Sequence, residues 1–405
     1  MHPVEIYVSE LTQIRSQGVP ETSYYGPLSR LLDEVGKSLR PRVKCIINPK
    51  NIGAGIPDGG LFTPDQLPKA SASGAGPLPG LLPSRGVIEA KSVADDSWVT
   101  AKGNQVSKYW GRYGQVLVTN FRDFLLVGVD AAGQPAVLET FRLAPTQAEF
   151  WAAAGHPQQM ANRQGDLLVE FLKRVMLNVA RLTSPRDVAW FLASYARSAK
   201  ARIETADPAA LTALASVRST LEEALGLKFQ GEKGDHFFRS TLVQTLFYGI
   251  FSAWVLWSKQ QTAGSAVKFD WRTAAYSLHV PMIRALFEQL AIPSRLGPLN
   301  LMELLNWTGA VLDRVDREAF FSQFDEGQAV QYFYEPFLQA FDPELRKELG
   351  VWFTPPEVVR YMVARVDTVL REELDIADGL ADERVVVLDP CTGTGNFIAN
   401  LLRRI

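Results

Sequence analysis

The sequence predicts three consecutive regions: an α/β domain with a mixed sheet, an all-helical region, and a final segment that ends with a strand, a glycine-rich turn and the start of a helix. Short β-branched runs alternate with helical stretches up to about residue 145, and long amphipathic stretches then follow one another. A β-branched run returns only near the end, directly before Gly393 and Gly395. We therefore predict the regions 1–145, 146–340 and 341–405.

Composition excludes several classes of protein. The 405 residues are 47% apolar and 21% charged, as in ordinary globular proteins, and the net charge of −2 shows no bulk attraction to nucleic acid. Two cysteines form neither a disulfide framework nor a zinc ligand set, which favours a reducing, cytoplasmic setting. The longest apolar stretch, Leu242–Trp257, is shorter than the ~20 residues of a membrane span, so we predict a buried core helix and no membrane partner.

The first region begins with a helix and continues with strands. Apolar residues in "SYYGPLSRLLDEVGKSL" have helical spacing, and "RVKCIIN" and "GVIEAK" are typical of strands. Between these two strands lies a stretch from Leu67 to Gly86, rich in proline, glycine and serine, that we predict to be a loop. The runs "QVLVTN" and "FLLVGVD" predict two further strands.

Two acidic residues and a lysine form a candidate catalytic group in this region. Asp58 lies in "GIPDGGLF", and Glu89 and Lys91 lie in "GVIEAK". Residues two apart on a strand point to the same face, so Glu89 and Lys91 share one face. Carboxylates from neighbouring strands make a hard-oxygen site suited to Mg²⁺. Such a metal polarises a phosphodiester and lowers the pKa of a bound water, while the lysine offsets charge that develops on the phosphate.

A helix with Gln105 and Tyr109 on one face follows, in "GNQVSKYWGRYG". The order of these elements resembles the PD-(D/E)xK nuclease superfamily, in the branch whose following helix carries such a glutamine and tyrosine. The resemblance implies Mg²⁺ ligands at Asp58 and Glu89 and a catalytic ammonium at Lys91, with Gln105 and Tyr109 completing the site. It also implies a further carboxylate from the preceding helix, for which Glu21 and Glu34 are both candidates.

The C-terminal stretch "RVVVLDPCTGTGNF" places a β-branched run before a glycine turn and a helix start, the order of a Rossmann-like cofactor site. It resembles the S-adenosylmethionine loop of amino-methylating DNA methyltransferases, especially those that form N6-methyladenine. The preceding segment "GVWFTPPEVVRYMV" is similar to the segment that covers the methionine end of the cofactor in that family. Thr354 is also a candidate helix N-cap, with Pro355 at the first helical position. The cofactor-binding residues that the resemblance implies are Phe353, Thr354, Pro355, Asp389, Cys391, Gly393, Gly395, Asn396 and Phe397.

The order of these regions, a nuclease, then a helical region, then the start of a methyltransferase, resembles that of single-chain restriction–modification enzymes of the type IIG group and its type ISP relatives. That resemblance implies double-stranded DNA as substrate and Mg²⁺ and S-adenosyl-L-methionine as cofactors. The chain contains no Asn/Asp-Pro-Pro-Tyr/Phe motif for the flipped adenine. We therefore expect the N-terminal fragment of a longer enzyme, with an incomplete methyltransferase domain. The alternatives are a degenerate, non-catalytic remnant and a free-standing nuclease subunit that docks to a separate methyltransferase.

Overall fold

A computed structural model describes residues 1–16, 21–51, 53–67, 82–130, 134–212, 214–261, 267–278, 281–324, 333–343, 354–390, 392 and 395–405. The chain divides into two compact units, Met1–Ala180 and Arg181–Ile405. Most of the predicted loop from Leu67 to Gly86, and the predicted site residues Phe353, Cys391 and Gly393, lie outside the described residues.

The first unit is built around a six-stranded mixed sheet in which the strands follow their order in the chain. Only β3 and β4 run parallel; all other neighbours are antiparallel. A helical crossover joins the two parallel strands, as parallel pairing requires. The strands are β1 (Lys44–Ile47), β2 (Gly59–Phe62), β3 (Val87–Ala90), β4 (Val116–Thr119), β5 (Asp123–Val129) and β6 (Pro135–Arg142).

Helices cover both faces of this sheet because its central strands are apolar on both sides. One core contains Ile88 and Leu117 and is covered by helices from both ends of the unit. The other contains Val87 and Val116 and is covered by the crossover helices. The first layer consists of α1 (Pro3–Ser16), α2 (Tyr25–Lys37), α5 (Gln147–Ala154), α6 (Pro157–Met160) and α7 (Asp166–Leu177), and the second of α3 (Ser97–Ala101) and α4 (Asn104–Tyr113).

The two predicted helices and the four predicted strands of this region are confirmed, but β2 and β6 were not predicted. Glu139 lies in the middle of β6 and forms a buried ion pair with Arg174, 2.9 Å between Oε2 and Nε. A charge in mid-strand conceals the apolar alternation that marks a strand. The unit also continues past the predicted boundary at residue 145, because Phe150, Leu168 and Phe171 share the core of α1 and α2.

The second unit is helical wherever the structure describes its secondary structure, apart from one isolated bridge between Leu182 and Val315. Fully buried aromatic side chains, among them Trp254 and Phe247, form its interior. Its helices are α8 (Pro185–Glu204), α9 (Pro208–Thr212), α10 (Ala215–Leu225), α11 (Gly231–Gln260), α12 (Ala274–Ser277), α13 (Pro281–Leu290), α14 (Pro293–Leu296), α15 (Met302–Asp313), α16 (Arg317–Phe321), α17 (Glu335–Phe341), α18 (Pro356–Glu372) and α19 (Asn396–Arg404).

Helix α11 contains the apolar stretch Leu242–Trp257. Within the described residues it alone has the length and composition of a membrane span. However, 61% of its most apolar part is buried inside the protein, and Leu242, Phe247 and Trp254 are each at most 1% exposed. This burial agrees with the predicted core helix.

The strand predicted at Val385–Leu388 does not form, and this prediction is wrong. Residues 385–389 have no assigned secondary structure, and Val386 and Leu388 are 89% and 84% exposed. A strand is stabilised by a hydrogen-bonded neighbour and by burial of its side chains. Among the described residues no strand pairs with this segment, so its β-branched composition alone does not hold it extended.

Candidate functional site

The end of β3 carries Glu89 and Lys91. Glu89 is 5% exposed, and Lys91 follows the last strand residue with its side chain 41% exposed. The lysine Nζ lies 2.7 Å from Glu89 Oε1, as expected for residues on one strand face. The main chain of Lys91 is fixed as well, since its N–H donates to the Thr119 carbonyl of β4 at 2.8 Å. The carboxylate and the ammonium therefore form one rigidly held pair.

Asp58 reaches the same place from the loop before β2. The antiparallel pairing of β2 with β3 sets Gly59 opposite Ile88, which carries the preceding residue to the end of β3. The backbone N–H of Ala90 donates to Asp58 Oδ2 at 2.8 Å. Asp58 is thus held against the residue between Glu89 and Lys91, and the structure brings these three predicted site residues together.

Tyr25, at the start of α2, connects Asp58 with a second carboxylate. Its hydroxyl lies 2.9 Å from Asp58 Oδ1 and 3.3 Å from Glu21 Oε1. Glu34, the other candidate carboxylate, is exposed and pairs with Lys37. The geometry therefore favours Glu21 as the additional acidic residue. Tyr25 was not predicted, and its only signal in the sequence is its position four residues after Glu21, one helical turn away.

Gln105 and Tyr109 of α4 contact the backbone of the loop that leads to Asp58. The Tyr109 hydroxyl donates to the Ile56 carbonyl at 2.7 Å, and Gln105 Nε2 lies 3.5 Å from the Ala54 carbonyl. Gly55 between them has a φ of +105°, which favours glycine, and a Cβ there would lie 3.0 Å from Gln105 Nε2. These two side chains therefore orient the loop; both contacts are with its carbonyl groups.

Burial and mutual repulsion shift the acid–base properties of this group. Burial raises the pKa of Glu89 and of Glu21, and the charge of Asp58 raises both further. Burial also raises the pKa of Tyr25 well above its ordinary value, so its hydroxyl keeps its proton. Burial lowers the pKa of Lys91, but its hydrogen bond to Glu89 and the nearby acidic charges outweigh this and raise it. Lys91 therefore remains an ammonium.

Replacing Glu89 with glutamine is expected to stabilise the metal-free protein at neutral pH. Because the folded-state pKa of Glu89 is raised, its contribution to stability is fully present below its ordinary pKa and is lost as pH rises through the raised value. Thermal unfolding of the wild type and Glu89→Gln in the presence of a chelator measures this. We expect the variant's advantage to be larger near neutral pH than at about pH 4, the ordinary pKa range of glutamate. An equal difference at both pH values would contradict the assigned burial effect.

The donor chemistry of this group fits a hard divalent cation. Asp58, Glu89 and Glu21 offer only carboxylate oxygens. Within the described ranges, no three histidine, cysteine or acidic residues are already arranged around a single metal position. Mg²⁺ usually binds through one or two protein carboxylates and keeps several waters, so a pair such as Asp58 and Glu89 is sufficient.

A second candidate site joins the two motif segments of the C-terminal region. Asn396, at the start of α19, donates from Nδ2 to the Thr354 carbonyl at 3.2 Å. Gly395 has a φ of +78° and caps this helix at its N-terminus. Beside them is a cavity of about 290 Å³. Its lining is mainly apolar and includes Met362, Val363, Leu388, Asp389 and Phe397.

The predicted N-cap at Thr354 is wrong, because α18 begins one residue later. Pro356 occupies the first helical position and Pro355 is the N-cap, with φ −52° and ψ 137°. A residue before proline is kept out of the α region by steric conflict, so Pro355 cannot be helical. Thr354 instead contributes its backbone carbonyl to Asn396.

Comparisons with known proteins give a family match over part of the chain and a likeness to a solved structure. No curated protein matches the sequence. Among solved structures, the chain is similar to one titled "cryoEM structure DrdV-DNA complex", with 19% identity, 99% of this chain and 35% of that chain covered, and a TM-score of 0.29. The chain thus spans about a third of that protein's length, and a TM-score this low carries no information about the fold. Residues 326–405, which include Thr354 and Asn396, match the family described as N-6 DNA Methylase.

Proposed function

We propose that this chain is part of a DNA restriction–modification enzyme that combines Mg²⁺-dependent DNA cleavage with N6-adenine methylation. The observation that carries the nuclease proposal is the convergence of Asp58, Glu89 and Lys91 at the end of β3. The match of residues 326–405 to N-6 DNA Methylase supports the methylation half. In this proposal residues 1–145 supply the PD-(D/E)xK active site within the compact unit Met1–Ala180, residues 146–340 form a helical spacer that packs in part against it, and residues 341–405 form the methyltransferase start, acting on double-stranded DNA in the cytoplasm.

In the nuclease site, Asp58 and Glu89 would hold Mg²⁺. When bound there, the metal supplies Lewis-acid polarisation of the phosphodiester and a more acidic water. Lys91 keeps its positive charge beside Glu89, where it stabilises negative charge that builds up on the phosphate. Tyr25 and Ala90 hold the Asp58 carboxylate, and Gln105 and Tyr109 hold the loop behind it. Glu21 would adjust the charge of the site through Tyr25.

In the C-terminal region, the residues that would bind S-adenosyl-L-methionine lie around the contact between Thr354 and Asn396. Asp389 would accept a hydrogen bond from a polar group of the cofactor, and Phe397 would contact its apolar part. Pro355 and Gly395 shape the backbone at this contact. Phe353, Cys391 and Gly393 remain proposed cofactor residues from the family resemblance.

The test of the nuclease proposal is incubation of this 405-residue chain with duplex DNA and Mg²⁺. We expect cleavage that a chelator abolishes. The absence of cleavage at any metal concentration would instead favour the non-catalytic alternative.

With labelled S-adenosyl-L-methionine, the same preparation is expected to leave DNA unmethylated. The chain has no Asn/Asp-Pro-Pro-Tyr/Phe motif to bind the flipped adenine. Incorporation of label into adenine, measured beside a complete N6-adenine methyltransferase as the positive control, would contradict this expectation.

A further inference from the structure

We propose that the exposed face of α4 is the surface on which the sugar–phosphate backbone of the substrate duplex lies while Asp58 and Glu89 act on it. This inference rests on the proposed nuclease function and specifies where its substrate binds. The surface consists of Lys102, just before the helix, and of Ser107, Lys108, Gly111 and Arg112, all of them exposed. We call it the α4 basic face.

The charge of this segment favours contact with phosphates. From Ser97 to Tyr113, which spans α3 and α4, there are three basic residues and no acidic one, in a chain whose net charge is −2. Lys102 and Lys108 are exposed, and within the described part of the chain no ion pair to a carboxylate is found for either. Basic groups without local carboxylate partners are available to displace counterions from phosphates.

The helix that carries this face also packs beside the carboxylates. The buried side of α4 packs Val106, Tyr109 and Tyr113 into the core that also contains Val87 of β3. Glu89 is two residues after Val87, so it points to the α4 side of the sheet. The same helix contacts the loop before Asp58 through Tyr109. The α4 basic face lies on the opposite side of the helix from these buried residues, so a duplex seated on it would reach the carboxylates past the N-terminal end of α4, where Gln105 contacts the same loop.

The α4 basic face contains a glycine that packing inside the protein does not explain. Gly111 lies inside α4, is exposed, and a Cβ there would meet no atom within 4 Å. Glycine inside a helix is less favourable than alanine, and here no neighbouring atom requires it. Gly111 lies one turn from Ser107 and Lys108 and beside Arg112. A bare backbone between two cations lets a phosphate approach the helix closely.

The experiment measures DNA binding by the whole chain, with Ca²⁺ in place of Mg²⁺, from the fluorescence anisotropy of a labelled mixed-sequence duplex at several salt concentrations. We expect Lys102→Gln and Lys108→Gln each to weaken binding about threefold at moderate salt and to reduce the salt slope by about one. In the double variant the salt slope should fall by about two. The matched control is Arg163→Gln, a similar charge loss on an exposed residue beside α6, in the layer on the opposite face of the sheet, and it should change neither quantity.

Two substitutions at Gly111 separate the stability of the protein from its affinity for DNA. Gly111→Ala should raise the midpoint of thermal unfolding, since alanine favours the helix and no atom opposes its Cβ. Gly111→Leu should lower the affinity for the duplex several-fold while the protein remains folded. If the α4 basic face contacts only solvent, Gly111→Leu should not change the affinity for the duplex.

Unchanged affinity and salt slope in the two lysine variants would overturn the inference, as would the absence of any DNA binding by the chain. Failure of the nuclease proposal gives a different result. In that case Asp58→Asn would leave Mg²⁺-dependent cleavage intact, or no cleavage would occur, while the lysine variants could still lose affinity and salt slope.

Discussion

Cleavage of duplex DNA by this chain is expected to fall by at least about a hundredfold when Asp58 is replaced with asparagine or Glu89 with glutamine. A bound metal contributes several kcal/mol of charge stabilisation, and about 1.4 kcal/mol corresponds to a factor of ten in rate. Lys91→Ala should cause a loss of similar size, since it removes the ammonium that pairs with Glu89. The measurement is the rate of Mg²⁺-dependent cleavage under single-turnover conditions.

Glu21 and Glu34 give a matched pair for the same assay. Glu21→Gln alters a carboxylate that shares the Tyr25 hydroxyl with Asp58, whereas Glu34→Gln alters an exposed carboxylate that pairs with Lys37. We expect the first to slow cleavage and the second to leave it unchanged. Equal effects would contradict the assignment of Glu21, and full activity of Asp58→Asn would contradict the whole site.

Replacing Trp254 with alanine should lower the free energy of unfolding of the second unit by about 3–5 kcal/mol, the usual range for a buried tryptophan. Trp254 is fully buried in α11. Its ring packs against Phe251, Phe320 and Phe321, with ring centroids 5.0–6.0 Å away. A cavity of this size cannot be refilled without moving several aromatic neighbours. Urea denaturation in detergent-free buffer, followed by far-ultraviolet circular dichroism, measures the loss.

Tyr276→Ala is the control for this prediction, since Tyr276 is 77% exposed and should change the stability little. A Trp254→Ala protein as stable as the wild type would contradict the assigned core. Dependence of the wild type on detergent for solubility would contradict the interpretation of α11 as a core helix.

The sequence was most informative where chemistry and periodicity coincide. Glu89 and Lys91 could be assigned to one strand face because side chains alternate along a strand. Tyr25 could not be predicted, since its importance depends on where α2 places its hydroxyl relative to a loop residue 33 positions away. The contacts of Gln105 and Tyr109 with carbonyl groups were equally hidden, because backbone groups are not visible in a sequence.

In the C-terminal region, by contrast, the residue pattern did not predict the local structure. The residues of "RVVVLDP" have high strand propensity, yet strand propensity describes how well a residue fits a half-buried sheet surface. Without a paired neighbour among the described residues, Val386 and Leu388 stay exposed. The contact of Asn396 with the Thr354 carbonyl joins residues 42 positions apart, and neither periodicity nor composition predicts it.

The hydrogen bond from α4 to the loop before Asp58 has a consequence for folding during protein synthesis. Tyr109 lies 53 residues after Ile56, its hydrogen-bond partner, and therefore leaves the ribosome much later. Chains emerge from the N-terminus at about 5–20 residues per second, and domains fold as units. A nascent chain that already exposes Asp58 thus lacks the contact that orients it. The carboxylate group can therefore reach its final geometry only after the crossover helices have emerged.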